Sequence, residues 1–311
     1  MKIRDFNQPR VLVLGAAGIL GWNLLRANES FIGTIHKNPV EDLGNQIYRL
    51  DISSRGDFVK LIDKVSPSLV INCIGMTDVE ICESRPEAAY ALNTVAPRMI
   101  AKECATRGLR FFQLSTDHFQ STTDEINDRT EITQFEATNQ YSLTKLFMER
   151  QVLLANPKAL VVRTNFFGYS PSSKSFFSQL VTSKSGDTFT GYKDVFFNPL
   201  GVMTLVHLLT AMSKIELTGL VHAVSNDVIS KLDFAKIVLD ASGTSASLVS
   251  GLLPRSYPKR PHFLALQPTE SLLSLQQVGS IEDMIRTEVN RFPPSQEFST
   301  NEAKGRHSDG L

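Results

Sequence analysis

The feature that most restricts what this chain can fold into is the run Val11-Leu12-Val13-Leu14 followed at once by Gly15-Ala-Ala-Gly18-Ile-Leu-Gly21. A short stretch of branched apolar residues that stops at a glycine reads as a strand buried on both faces, as at the centre of a parallel sheet. Residues 19–28 then carry apolar side chains at helical spacing. The glycines fall between the two elements, where they permit a tight turn, let backbone amides approach a pyrophosphate and let the helix pack close to the strand. The spacing is G-x-x-G-x-x-G instead of the commoner G-x-G-x-x-G, so the flanking strand and helix carry the inference. Gly15, Gly18, Ile19, Leu20 and Gly21 are the expected dinucleotide cradle; a glycine turn with no ligand is the plain alternative.

Strand-like runs recur at residues 31–36, 47–50, 69–74, 110–115 and 160–163, with helix-length segments between several of them. Alternation of this kind predicts a doubly wound, Rossmann-like parallel sheet of the α/β class. Residues 139–156 read as a helix closed by Pro157. Beyond residue 167 the composition shifts toward Ser, Thr, Pro and Gly, with a strand over 219–225 and helices over 203–213 and 232–241. The expected division is a nucleotide-binding domain over 1–166 with parts of 190–225, a smaller C-terminal substrate-binding lobe mainly over 167–293, and a disordered tail over 294–311.

Thirty-two basic residues balance 32 acidic ones, so there is no global field to hold nucleic acid or an anionic membrane, and a small molecule is the expected partner. The N-terminal apolar run is far too short to span a bilayer and leads directly into the strand–turn–helix signal, which argues against a signal peptide and for a cytoplasmic protein. Cys73, Cys82 and Cys104 lack paired C-x-x-C spacing and read as small buried filler in a reducing compartment. His207, His222 and His262 are scattered, and Asp78, Glu80 and Glu83 read as a solvated turn, so no metal is expected.

The second strand ends in His36-Lys37, where an NAD-selective site usually presents a carboxylate to the ribose. Cationic groups there suit a 2′-phosphate, which predicts NADP(H), with NAD(H) as the alternative and the start of a solvated loop as the bland reading. Tyr141 and Lys145 lie four apart and so share a helix face. A lysine ammonium near a phenol favours the phenolate and would bring tyrosine down from about 10 toward useful acidity. A Y-x-x-x-K string is weak by itself; its place after a nucleotide turn and after the strand ending Leu114-Ser115-Thr116-Asp117 gives it weight. Thr116 is expected to polarise a carbonyl and Tyr141 to protonate the forming alkoxide.

Taken together these motifs resemble the extended short-chain dehydrogenase/reductase family, and within it the dTDP-4-dehydrorhamnose reductase-like group, over nearly all of residues 10–290. The resemblance matches Asp51-Ile52 to the family's adenine-contacting Asp, Asn72-Cys73-Ile74-Gly75 to the strand end near the nicotinamide ribose, and Asn93 to its helix asparagine. Residues 77–83 and 93–97 are similar to the group's T-x-V-D-x-x-E … N-x-x-x-P signature, and Arg163-Thr164-Asn165-Phe166 to its R-T-S-W turn. It implies Thr116, Tyr141 and Lys145 as the catalytic trio, Ser115 and Asn165 near the cofactor, and Lys145 on the nicotinamide ribose. Thr77, Asp117, His118, Phe166, Asn198 and Arg260 are implied to line the nucleotide-sugar site.

The group typically reads S-T-D-Y-V-F where this chain has Ser115-Thr116-Asp117-His118-Phe119-Gln120, and often has glycine where Ser142 stands, which would reshape space beside the substrate. Dehydratases of the superfamily carry an Asp-Glu pair after the Thr, because elimination needs both proton removal and leaving-group protonation; here His118 replaces the Glu. His118 is itself more simply read as a packed residue than as a proton carrier. The resemblance implies NADPH-dependent reduction of a nucleotide-activated 4-keto-6-deoxy sugar in polysaccharide or deoxysugar synthesis. A sugar-nucleotide epimerase or dehydratase, a non-catalytic nucleotide-binding subunit, and assembly as a homodimer remain open.

Overall fold

The computed structural model describes residues 10–37, 39–40, 43–119, 137–171, 174–275 and 278–293. The expectation of a disordered tail over 294–311 lies outside the described residues, as does Gln120. The strands are β1 (Val11–Leu14), β2 (Ile32–Ile35), β3 (Ile47–Arg49), β4 (Leu69–Asn72), β5 (Arg110–Leu114), β6 (Leu160–Arg163), β7 (Phe166–Phe167), β8 (Thr188–Tyr192), β9 (Phe196–Phe197), β10 (Leu200–Gly201), β11 (Gly219–His222), β12 (Ile229–Ser230) and β13 (Ser247–Gly251). The helices are α1 (Ile19–Ala27), α2 (Arg55–Val65), α3 (Val79–Ser84), α4 (Pro86–Tyr90), α5 (Ala96–Thr106), α6 (Gln140–Ala155), α7 (Phe176–Val181), α8 (Val202–Met212), α9 (Lys231–Ser242), α10 (Glu270–Leu273) and α11 (Ile281–Val289).

Seven strands form one parallel sheet in the order β11-β6-β5-β4-β1-β2-β3. Successive side chains of a strand point to opposite faces, so a sheet covered on both sides needs apolar residues at every position. That is what the apolar runs provide. Val11, Val13, Leu69, Ile71, Phe112 and Leu114 face α1 and α8, while Leu12, Leu14, Val70 and Phe111 face α2, α5 and α6. The expected doubly wound sheet is therefore the one observed.

The short pairs β7–β10, β8–β13 and β9–β12 lie outside this sheet and, with α7, α9 and α11, build the smaller body. The chain returns from it twice, through α8 against α1 and through β11 beside β6. α6 runs as expected, with Asn139 and Asn156 as its two caps just before Pro157. All three cysteines are free, Cys82 and Cys104 buried and Cys73 half-buried.

Candidate active site

In the sheet, β1 and β4 are neighbours from which the chain departs to opposite sides, and such a switch point opens a crevice at the carboxyl ends of the strands. The loops after both strands meet there. Gly15 has a φ of +94°, and a Cβ on it would come 3.0 Å from Ile74 Cγ1. A Cβ on Gly21 would lie 2.1 Å from the Gly15 carbonyl oxygen, so no side chain fits at the helix–turn contact. α1 starts at Gly18 with neither a side-chain cap nor an acidic residue in its first turn. By contrast Ser54, Asn139, Ser230 and Ser280 cap α2, α6, α9 and α11, and Glu288 accepts from Met203 N at the start of α8. An uncapped first turn with glycine on its approach fits a bound pyrophosphate, because the N–H groups of Ile19, Leu20 and Gly21 point the way an anion needs. The side chain of Leu20 lies in the core, so only its backbone faces the turn.

At the far end of the crevice, exposed His36 and Lys37 both act on Asp51. The Asp51 carboxyl is held below its usual range chiefly by Ser53, whose hydroxyl and N–H donate to Oδ1 at 2.7 and 3.0 Å. Ile52, by contrast, turns its side chain into the core.

The loop after β4 is held by two buried asparagines that resemblance placed at the cofactor. Asn72 donates to Gln113 Oε1 at 2.8 Å and accepts from Ile74 N at 3.1 Å. Asn93 accepts from Met76 N at 2.8 Å and donates to Met76 O at 2.9 Å and Thr144 Oγ1 at 3.1 Å. Both amides shape residues 73–77, Asn72 tying that loop to β5 and Asn93 tying it to α6, so they position the site. Asn93 occupies a π-helical turn, Ala91–Val95; Pro97 has no N–H to offer the Asn93 carbonyl one turn back, which explains the local widening. Gly75 and Thr77 are exposed, and Cys73 and Ile74 are half-buried.

The expected trio does converge at the end of β5. Thr116 is buried, accepts from His118 N at 3.1 Å, lies 3.5 Å from Asp117 Oδ1 and is near enough to the Tyr141 phenol to favour its ionised form. Burial pushes the Tyr141 phenol above its ordinary value, the Thr116 hydroxyl opposes this, and Asp117 and Cys82 add to it. Lys145 donates to the Leu114 carbonyl at 2.7 Å. Burial brings its ammonium down to about 8, with Glu149 and Cys73 opposing. The expectation that Lys145 depresses the Tyr141 pKa is corrected here: desolvation dominates, the ammonium is engaged by a carbonyl, and Tyr141 is held as a neutral acid.

Around the trio, burial pushes Asp117 up to about 6 against the Asn165 amide, which donates to Oδ2 at 2.7 Å, and against the field of Lys231. Asn165 thus belongs to the Asp117 side of the site. Burial brings His118 down to about 4, aided by Arg260 and Lys231, and its ring lies edge-on to Tyr141 with centroids 5.6 Å apart. Ser115 turns away from the crevice and donates to Glu149 Oε1 at 2.5 Å. Glu149 in turn takes Arg163 Nε at 2.9 Å and Nη2 at 2.7 Å, both side chains being fully buried.

Three further expectations are corrected. Asn198 is a structural tie: it donates to Ser225 O and Leu266 O at 2.8 and 2.7 Å and accepts from Leu266 N at 3.1 Å. Ser142 does not border substrate space, because it is fully buried and closes a capping box with Asn139 at the start of α6. Glu80 and Glu83 are not merely solvated, since Glu80 pairs with Arg260 and Glu83 accepts from Gln140 N at 2.6 Å and from the Tyr257 hydroxyl. Arg260 acts on His118 from that position, and Phe166 is half-buried in β7 beside Leu200. Sequence reasoning missed Lys231 and Phe197. Glu149 could have been found, one helical turn beyond Lys145 on the same face.

The family model described as the RmlD substrate binding domain matches residues 9–291. The chain belongs to this family. Among its relatives is a dTDP-4-dehydrorhamnose reductase of Mycolicibacterium smegmatis, 32% identical over 86% of this chain and 80% of that protein. Another, "Probable low-salt glycan biosynthesis reductase Agl14" of Haloferax volcanii, is 29% identical over 86% of this chain and 90% of its own length. The structure of a Bacillus anthracis dTDP-4-dehydrorhamnose reductase in complex with NADP superposes with a TM-score of 0.76 at 21% identity, over 90% of this chain and 98% of that one. A Thermus thermophilus UDP-glucose 4-epimerase in complex with NAD gives 0.77 at 16% identity over the same shares, so the fold is shared beyond the family. Among the described residues, no group of His, Cys, Asp or Glu could hold a metal ion, and no helix is long and apolar enough to cross a membrane.

Proposed function

We propose that this chain uses NADPH to reduce the ketone of a nucleotide-activated 4-keto-6-deoxy sugar. The observation that carries the reading is the convergence of buried Thr116, Tyr141 and Lys145 at the end of β5, in the same row of strand ends as the glycine turn. The relatives' names support a sugar-nucleotide reductase, and NADP in the Bacillus anthracis structure supports the cofactor.

When bound, NADPH supplies the hydride. The glycine turn and the first turn of α1 fit its pyrophosphate, and His36 with Lys37 fits the 2′-phosphate. Thr116 polarises the ketone oxygen and Tyr141, kept protonated by burial, delivers the proton to the alkoxide. Lys145, with one N–H on Leu114 O, has others to hold the ribose. Elimination of water would need a second acid beside Asp117, and His118 there is a neutral imidazole at physiological pH, which favours reduction.

The test is NADPH consumption against a panel of nucleotide 4-keto-6-deoxy sugars, beginning with dTDP-4-dehydrorhamnose. Stoichiometric oxidation with one of them is expected. Tight NADPH binding without turnover on any of them would favour a silent subunit.

A further inference from the structure

Beside Thr116 and Tyr141, two polar groups have no hydrogen-bond partner among the described residues. The first is the Lys231 ammonium, at the opening residue of α9. It sits 3.4 Å above the centre of the Phe197 ring and makes no hydrogen bond or ion pair among the described residues. It is desolvated enough to fall to about 8, and Asp117 is the opposite charge that faces it. The second is His118 Nε2, shut off from solvent and without a hydrogen-bond partner among the described residues. The Lys231 ammonium is also close enough to His118 to disfavour its protonation.

A desolvated ammonium resting on an aromatic face is less stable than an apolar side chain of equal volume in that position, and a buried nitrogen with no partner adds to the strain on the fold. Groups retained at such a cost beside reacting atoms are suited to a ligand. The signs say which kind. Asp117 and Lys231 together are neutral, and His118 is uncharged at neutral pH. An anion entering between them meets Asp117, and a cation meets Lys231. Two adjacent hydroxyl groups satisfy both: one donates to the carboxylate, its neighbour accepts from the ammonium, and the imidazole nitrogen completes either.

We propose that Lys231 and Asp117, with His118 beside them, form a subsite for two neighbouring hydroxyl groups of the sugar ring whose ketone is reduced. The proposal rests on the reductase reading, in which a 4-keto-6-deoxy hexose carries such hydroxyls next to the ketone. Lys231 thereby becomes a specificity residue, acting on the sugar and not on the nucleotide.

The test uses the full chain saturated with NADP+. Calorimetry gives the dissociation constants of dTDP and dTDP-L-rhamnose, and of UDP and UDP-galactose; the ratio within each pair reports what the sugar adds. Losing a charge-assisted hydrogen bond should shrink that ratio about tenfold or more in Lys231→Met and Lys231→Gln, and less in His118→Phe. Affinities for NADP+ and the bare nucleotide should stay within about twofold. An undiminished ratio in Lys231 variants that keep wild-type NADP+ affinity overturns the subsite and leaves the reductase reading intact. A wild-type chain that binds a nucleotide but gains nothing from its sugar also overturns the subsite. A chain that neither binds nor reduces any nucleotide sugar overturns both.

Discussion

Two charged pairs flank the end of β5, one fully buried and the other with its lysine half-buried, and they are built on opposite principles. Glu149 and Arg163 close on themselves: two hydrogen bonds join them, Ser115 fills Glu149 Oε1, and Arg163 Nη1 lies 3.4 Å from His222 Nε2, whose Nδ1 is 2.9 Å from Gln267 O. Asp117 and Lys231 face each other without touching, one held by Asn165 and the other resting on Phe197. A satisfied buried network fixes structure, whereas an incomplete one keeps bonding capacity for something else. The strand end is thus anchored on one side so that Thr116 and Asp117 can be offered on the other.

The sharpest way to break this comparison is to remove one member from each pair. Glu149→Ala leaves Arg163 charged and buried, so urea denaturation should show a loss of about 3–5 kcal/mol. Asp117→Asn should not destabilise. Its folded pKa lies above the unfolded value, so ionisation opposes folding and stability is lost as pH rises through the interval up to about 6. Removing that charge should recover on the order of 1 kcal/mol at neutral pH, offset in part by the loss of its field on Lys231. Destabilisation of similar size by both variants would erase the distinction.

Next in size comes the pH profile of kcat/KM for ketone reduction. Activity should rise as Asp117 ionises near 6 and fall as Lys145 and Lys231 lose their protons near 8. The acid limb should vanish in Asp117→Asn while the alkaline limb stays, since Lys145 lies outside the altered pair. The smallest effect is expected at Ser142. Ser142→Ala removes half of a capping box and should cost about 1 kcal/mol in stability with KM unchanged; a shift in KM would return Ser142 to the substrate side.

The sheet was legible in the sequence because a doubly covered parallel strand must be apolar at every position, and runs such as Val11-Leu12-Val13-Leu14 admit few other readings. The glycine turn was legible for the same reason in reverse: Gly21 has no room for a Cβ. Spacing along α6 located Tyr141 and Lys145. Spacing could not say that burial, and not Lys145, governs the Tyr141 phenol, because desolvation depends on what packs around a group. Nor could it separate residues that face the crevice from those that shape it, and so Asn72, Asn93, Ser115 and Asn198 were expected to bind ligand. Lys231 carries no motif at all; β12 delivers it to Asp117 from more than a hundred residues away.

The most direct test of the central claim is isotopic. Incubate the chain with NADPH deuterated at the transferable position and dTDP-4-dehydrorhamnose, or the nucleotide 4-keto sugar it prefers, and examine the product by mass spectrometry. Reduction predicts NADP+ in equal amount and a single deuterium on the former ketone carbon, both abolished in Tyr141→Phe while NADPH still binds. An isomerised sugar without deuterium, or wild-type turnover in Tyr141→Phe, would contradict it.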